Sequence, residues 1–304
     1  MKLTDRGSLV LVAFLWGLNF VAAKAALGAF TLWEMRVVTF GGATLILIVI
    51  ALCRRVTLRL KRRADAVRLL IAGLFGIGGF GAFSALALLH TTAGRATIFV
   101  YTMPIWVVLL ARFVLAEPIT RKKTVSLCLG AAGLAVLAWP LFAHGEWLGP
   151  LAALAAAISW ALGTVYLKRI DVDAPSITTT TWQLAAATMV SLAGLLLNPR
   201  DLPLVLSGSA VTGVLYNLLL GNVAAYLIWF GLLQRIPAGI AGIGSLLVPV
   251  FGVLASFVLL GEIPTLPDLG GLFLILIAAA IPLFNLTSRG SQVHEPVARD
   301  TLNP

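Results

Sequence analysis

Charge is scarce in this chain. Only 11% of its 304 residues are charged, and the acids number 12 against 22 Lys and Arg. Soluble domains carry about 25% charged and about 45–50% apolar residues; here 60% are hydrophobic. A water-soluble fold of this size could not cover so much apolar surface. Cysteine is nearly absent: Cys53 and Cys128 make no disulfide framework. Both fall near the ends of apolar runs and read as small buried thiols in a reducing compartment. Histidine is limited to His90, His144 and His294, which gives poor support to an intramembrane histidine catalyst. There is no metal cluster, nucleotide loop or nucleophile triad, so no cofactor, no metal and no enzymatic activity are expected.

The acids are also missing from mid-membrane depth, where ion- and proton-coupled carriers usually bury them. Transport, if that is the task, should then not depend strictly on a proton gradient. The net charge of +10 does not imply nucleic acid, because the basic residues are spread over short loops between apolar runs.

Those runs are what the sequence has in abundance. Spans of about 20 residues cross a hydrocarbon core of about 30 Å. Helices are expected over Leu9–Leu27, Leu32–Cys53, Val67–Leu89, Ala93–Leu115, Thr124–Phe142, Trp147–Lys168, Ile177–Leu197, Ala210–Leu233, Ala238–Leu260 and Asp268–Leu286. The runs lack the dyad alternation of a membrane barrel. The first run is too long for a signal peptide, whose apolar stretch covers roughly 7–15 residues. Arg54, Arg55, Arg59, Lys61, Arg62, Arg63 and Arg68 cluster between the second and third runs. Arg121, Lys122, Lys123, Lys168, Arg169 and Arg235 mark the same side, against Arg95 and Arg200 on the other. Basic loops stay cytosolic, so both termini are expected in the cytosol, followed by a disordered tail over 289–304.

The chain repeats itself. Trp16 and Lys24 recur as Trp160 and Lys168, and Pro104 and Glu117 recur as Pro249 and Glu262, at lags of 144 and 145 residues. The first run therefore matches the sixth and the fourth the ninth. Five spans per half is an odd number, which forces the second half upside down. The expected fold is all-α and membrane-embedded: ten transmembrane helices in two inverted five-helix repeats, over 1–142 and 143–288. Inverted halves are a recurring transporter device.

The W-G-L-N segment at Trp16–Asn19 and the ends P…L-A-E-P at Pro104–Pro118 and P…L-G-E-I-P at Pro249–Pro264 resemble the drug/metabolite transporter superfamily, specifically its EamA-type ten-helix exporters. The resemblance runs from about Leu9 to Leu286. The overall run is also similar to the YddG-type exporters of aromatic and neutral amino acids. It implies export of amino acids across a bacterial inner membrane. The paired basic clamps of the superfamily's sugar-phosphate members are only partly matched, by Lys168-Arg169 at the cytosolic mouth, which weakens a phosphate substrate.

Pro104 and Pro249 are the sharpest pointers to a site. Proline removes a backbone donor and breaks a turn, and paired interruptions in corresponding halves mark transporter binding sites; a plain packing kink is the alternative. Asn19, Asn217 and Asn222 are intramembrane amides that need partners, from either a substrate or a neighbouring helix. Tyr101, Trp160, Tyr216, Tyr226 and Trp229 supply aromatic surface, with Trp160 and Tyr101 the foremost pore candidates from the repeat and from nearness to Pro104, and Ser245 adds a hydroxyl on the ninth run. Gly239, Gly242, Gly244 and Gly252 read as packing glycines, and Glu117 and Glu262 as helix-end caps or gates. Lys24, Glu34 and Arg36 flank the outer turn between the first two runs and are expected to pair or snorkel. The expected partners are a small zwitterion, amino acids above all, and the lipid bilayer, with no nucleic acid; oligomeric state is not legible. The rivals are an antiporter of phosphorylated or nucleotide-sugar metabolites and an intramembrane lipid-modifying enzyme, with Asp171 and Asp173 as its one acidic pair.

Overall fold

A computed structural model describes residues 3–90, 99–138, 147–198, 206–261, 263 and 266–284. Every regular element among them is helical. Helix α1 covers Leu3–Ala26 and α2 begins at Leu32 behind a Thr31 capping box. Helix α2 joins Leu32–Arg36, a π-helical Val37–Gly41 and Gly42–Cys53; α3 joins Arg63–Gly73, a π-helical Leu74–Gly79 and Phe80–His90. Then follow α4 (Met103–Val114), α5 (Arg121–Ala138), α6 (Leu148–Ile170) and α7 (Ser176–Leu197). Helix α8 joins Gly208–Tyr216, a π-helical Asn217–Ala224 and Ala225–Leu233; α9 is split into Ala238–Gly244 and Leu247–Leu260; α10 is Leu266–Phe284.

Seven of these helices are long and apolar enough to cross a membrane, and Met103–Val114 and Leu269–Ile281 are shorter apolar pieces. Large apolar side chains such as Leu45, Val49, Leu52, Phe113 and Leu196 are exposed, as expected of surface whose solvent is lipid. The first helix starts six residues earlier than its apolar run, because the polar Leu3–Ser8 segment continues the same hydrogen-bonded spiral. The tail 289–304, Trp139–Phe142, Glu262, Arg95, Arg200, His144 and His294 lie outside the described residues.

The packing has a regular plan. Helix α1 packs on α8 and α9, and α6 packs on α3 and α4; α2 meets α7, α4 meets α9, and α5 meets α10. Close crossings need small residues. Gly163 of α6 stands against Gly76 of α3 with no room for a Cβ, and a Cβ on Gly221 of α8 would sit 2.5 Å from the Asn19 Oδ1 of α1.

Two expectations fail. Cys53 and Cys128 are exposed rather than buried: they lie on outward faces, so position near a helix end said nothing of direction. Arg36 does not reach out to the interface. Its guanidinium turns inward, donating from Nη2 to Ser84 Oγ on α3 at 3.2 Å, over the Phe40 ring at 5.4 Å.

Candidate functional site

The site grows from the helix irregularities. Three π segments interrupt α2, α3 and α8, and such segments are rare and concentrate at functional places. Glycines and amides at Gly41, Gly76, Gly78, Gly79, Asn217, Gly221 and Asn222 occupy them. Their loosened carbonyls are taken up by neighbours. Trp16 Nε1 donates to Gly221 O at 3.1 Å, and Ser159 Oγ to Phe75 O at 2.7 Å.

Around these segments lies one aromatic cluster. Trp16 of α1 meets Trp160 of α6 edge-on at 5.5 Å and 84°. Tyr226 and Trp229 of α8 lie 5.6 and 5.3 Å from Trp16, and 6.2 and 5.8 Å from Trp160. Phe80 of α3 abuts Trp160 at 5.4 Å, and Phe230 stacks on Tyr226 at 5.8 Å. Offset and edge contacts of this kind contribute about 0.5–1.5 kcal/mol each beyond area burial. Four helices thus converge on one set of rings.

The cluster is short of polar partners. Trp229 Nε1, Asn19 Oδ1 and Arg36 Nε are buried atoms with no hydrogen bond. An unmet polar group away from water is costly, so each of these atoms is a candidate to pair with a water or a ligand.

The sequence candidates separate accordingly. Trp160 and Tyr226 are in the cluster, and Asn19 presses on the π segment of α8. Tyr101 is buried in the same core. Asn222 is buried inside the π segment. Three others are spent on the scaffold: Tyr216 donates from its hydroxyl to Leu15 O at 3.1 Å, Asn217 from Nδ2 to Gly213 O at 3.0 Å, and Ser245 from Oγ to Gly242 O at 2.6 Å. Pro104 and Pro249 are buried, each in the first turn of a helical segment. The break falls just before each proline, at Tyr101–Thr102 and at Ser245–Leu246. Pro104 faces α9 where Gly242 leaves space. Sequence reasoning offered Trp229 only as aromatic surface and did not name Trp16, Phe80 or Arg36 as lining residues. Trp16 had a signal in the repeat, and Trp229 stands one turn from Tyr226 on the same face.

One end of the bundle, the basic one, is closed by polar contacts at the α8–α9 turn. Glu117 accepts from the Ala238 and Gly239 N–H groups at 2.8 and 3.2 Å and from Lys123 Nζ at 3.3 Å. Lys168 Nζ donates to Leu233 O and, at 3.0 Å, to Ile236 O. Arg235 Nε reaches Asp5 Oδ1 at 3.1 Å. Gly239 and Gly242 sit at close contacts with α4 and its end, and the Gly239 N–H is one of the groups that Glu117 caps.

Apolar helices with broken and π-deformed segments around a part-satisfied centre define a multi-pass membrane protein of the transporter class. The EamA-like transporter family model matches residues 7–139 and 147–284, so the chain belongs to that family. It is 30% identical to the uncharacterized transporter YvbV of Bacillus subtilis (strain 168), over 93% of both chains. It is 28% identical to a probable amino-acid metabolite efflux pump of Salmonella typhimurium, over 92% of this chain and 95% of that one. A solved crystal structure at 23% identity superposes with a TM-score of 0.78, covering 92% of this chain and 96% of the other, a likeness of fold.

Proposed function

We propose that the protein exports small zwitterionic metabolites, amino acids above all and aromatic and neutral ones among them, across the bacterial inner membrane by alternating access. The observation that carries this reading is the ring cluster of Trp16, Trp160, Tyr226 and Trp229, with unmet polar atoms beside it. Apolar walls with a few placed polar groups suit a ligand that is apolar at one end and charged at the other. The Salmonella relative supports the substrate class.

Ten spans in two inverted halves give the mechanism its two states. The packing plan is unchanged when each helix is exchanged for the one five places on: α1 on α8 and α9 becomes α6 on α3 and α4. The π segments of α3 and α8 end at Gly79 and Ala224, at the lag of 145. The crossings Gly76–Gly163 and Gly221–Asn19 exchange in the same way. Residues that meet their own counterpart belong on a twofold axis, and two pairs do. Trp16 touches Trp160, and Thr44 Oγ1 lies 3.5 Å from Thr188 Oγ1. The family model also fits each half separately. With the basic loops cytosolic, both termini are cytosolic, and the closed end described above is the cytosolic gate.

The test is counterflow of radiolabelled phenylalanine, threonine and methionine in proteoliposomes at equal pH on both sides. All three are expected to exchange. Movement of a phosphorylated sugar with none of the amino acids would replace this reading with the antiporter.

A further inference from the structure

The two halves differ in one respect that bears on the ligand. Helix α2 carries Arg36 at the entrance to its π segment. The lag of 144, which Thr44 and Thr188 obey while touching, gives Thr180 of α7 as its counterpart. Thr180 is neutral, and its hydroxyl donates to Ser176 O of its own helix at 2.7 Å. The cation therefore occurs on one side of the pseudo-twofold only.

A guanidinium inside a membrane span is a functional pointer. It stays protonated and offers five N–H groups in a rigid fork. Here Nη2 donates to the Ser84 hydroxyl, while Nε is buried without a partner. Gly81 of α3 faces that edge, where an added Cβ would come 3.5 Å from the Phe40 ring and 4.0 Å from Nε. Gly81 follows Phe80 of the ring cluster, and the π segment that Arg36 precedes meets that of α8, which leads to Tyr226. The carboxylate of Glu34, two residues away, accepts from its own cap, the Thr31 N–H, at 2.7 Å.

We propose that Arg36 is the carboxylate-binding residue of the transport site, with its Nε edge receiving the ligand's α-carboxylate and the Ser84 hydroxyl holding the fork in place. This rests on the amino acid reading above and sharpens it. The ligand's apolar part then lies toward Trp16, Trp160 and Tyr226. Its ammonium is left for neutral acceptors, of which the buried Asn19 Oδ1, against the π segment of α8 that meets that of α2, is one. A single cation matches a single carboxylate, whereas a phosphate dianion would leave charge unmet. Because Thr180 offers no equivalent charge, the ligand is held in one orientation. Amines and amides that lack the carboxylate are excluded.

The experiment uses the purified full-length chain and reads tryptophan fluorescence on titration with phenylalanine, phenethylamine, phenylalaninamide and phenylacetate, beside phenylalanine counterflow. The wild type is expected to bind phenylalanine and neither carboxylate-free analogue. R36Q is expected to weaken phenylalanine binding about tenfold or more, the factor that about 1.4 kcal/mol represents. R36K should recover part of it, and R68Q, on the exposed α3 start, none of the loss. S84A covers the case in which R36Q does not fold, and should weaken binding severalfold. Equal phenylalanine binding by wild type, R36Q and S84A overturns the proposal and leaves the amino acid reading standing. Binding of phenylacetate but of no amino acid, lost in R36Q, overturns the amino acid reading and keeps the Arg36 site. Binding of phenethylamine as tightly as phenylalanine overturns the carboxylate role outright.

Discussion

The basic end of the bundle and its centre handle polar groups in opposite ways. At the end, Glu117, Lys168, Arg235 and Asp5 each find a partner within 3.3 Å, and between them they cap both sides of the α8–α9 turn. In the centre, Asn19 Oδ1, Arg36 Nε and Trp229 Nε1 are buried and find none among the described residues, while toward the basic end Arg6 Nε and Thr179 Oγ1, in the first turns of α1 and α7, are the other two such atoms. The two regions share α1, α6 and α8, while the end adds the α4–α5 link and the start of α9, and the centre adds α2 and α3. On the proposed reading, the satisfied groups hold the basic end together, and the unsatisfied ones in the centre are open to a ligand. The changes that follow would break this contrast, in order of expected effect.

The largest effect belongs to Trp160, which touches Trp16, Phe80, Tyr226 and Trp229. Trp160→Ala empties the middle of the cluster, and large-to-small changes of this kind cost about 3–5 kcal/mol. Loss of counterflow together with a lowered melting temperature is expected. Trp160→Phe keeps an apolar ring and should melt close to wild type, while slowing phenylalanine exchange. Unchanged exchange in Trp160→Phe would remove the ring cluster from the transport path.

Much of this was legible beforehand. The helical runs, the duplication, the basic loops and the paired prolines can all be read from spacing, because a period or a lag survives any detail of packing. Trp160 is singled out by its place in the repeat, whereas Tyr226 is only one of several aromatic residues. The direction of a side chain is different. Arg36 stands close to Lys24 and Glu34 in the sequence, and near a helix end a long basic chain normally snorkels. Only the placement of Ser84 and Phe40 turns it inward. Tyr216, Asn217 and Ser245 show the reverse case: each spends a polar atom on a backbone carbonyl, which the sequence did not reveal. The π segments are invisible to a periodicity argument, since a single extra residue per turn shifts the pattern by less than its noise.

Glu117 comes next. Glu117→Ala leaves the Ala238 and Gly239 N–H groups uncapped, and cap removal costs about 1–2 kcal/mol. On the alternating-access reading that contact belongs to one transport state, so its loss should shift the balance between states about tenfold toward opening at the basic end. A cysteine at Ala241, buried behind the cap, in a chain with Cys53 and Cys128 replaced by serine, should react faster with a membrane-impermeant maleimide from that side. Equal rates with and without Glu117 would mean the cap is not a gate. Lys168→Met should act in the same direction more weakly, by about 1 kcal/mol, since the Leu233 and Ile236 carbonyls can take water at this end.

The smallest effect is expected at a contact that looks strong on paper. Lys61 and Asp173 join the α2–α3 and α6–α7 loops across the same end, at 2.5 Å. Hydrogen bonding and charge attraction from Lys61 hold the Asp173 carboxyl below its usual range, and those from Asp173 hold the Lys61 ammonium above its own. The Asp173 contribution is therefore present above the unfolded carboxylate range and fades as pH falls through the lowered value. The Lys61 contribution is present below the unfolded lysine range and fades as pH rises through the raised one. Between the two the pair is fully formed at neutral pH. Yet the side chains are 77% and 86% exposed, where salt screens the attraction and ordering two long chains opposes it. Lys61→Ala and Asp173→Ala should each change the melting temperature by no more than about 1 °C at physiological salt. If either change instead opens the basic end to the impermeant maleimide as Glu117→Ala does, the closure would rest on surface charge as much as on the buried caps, and the contrast between the two regions would have to be redrawn.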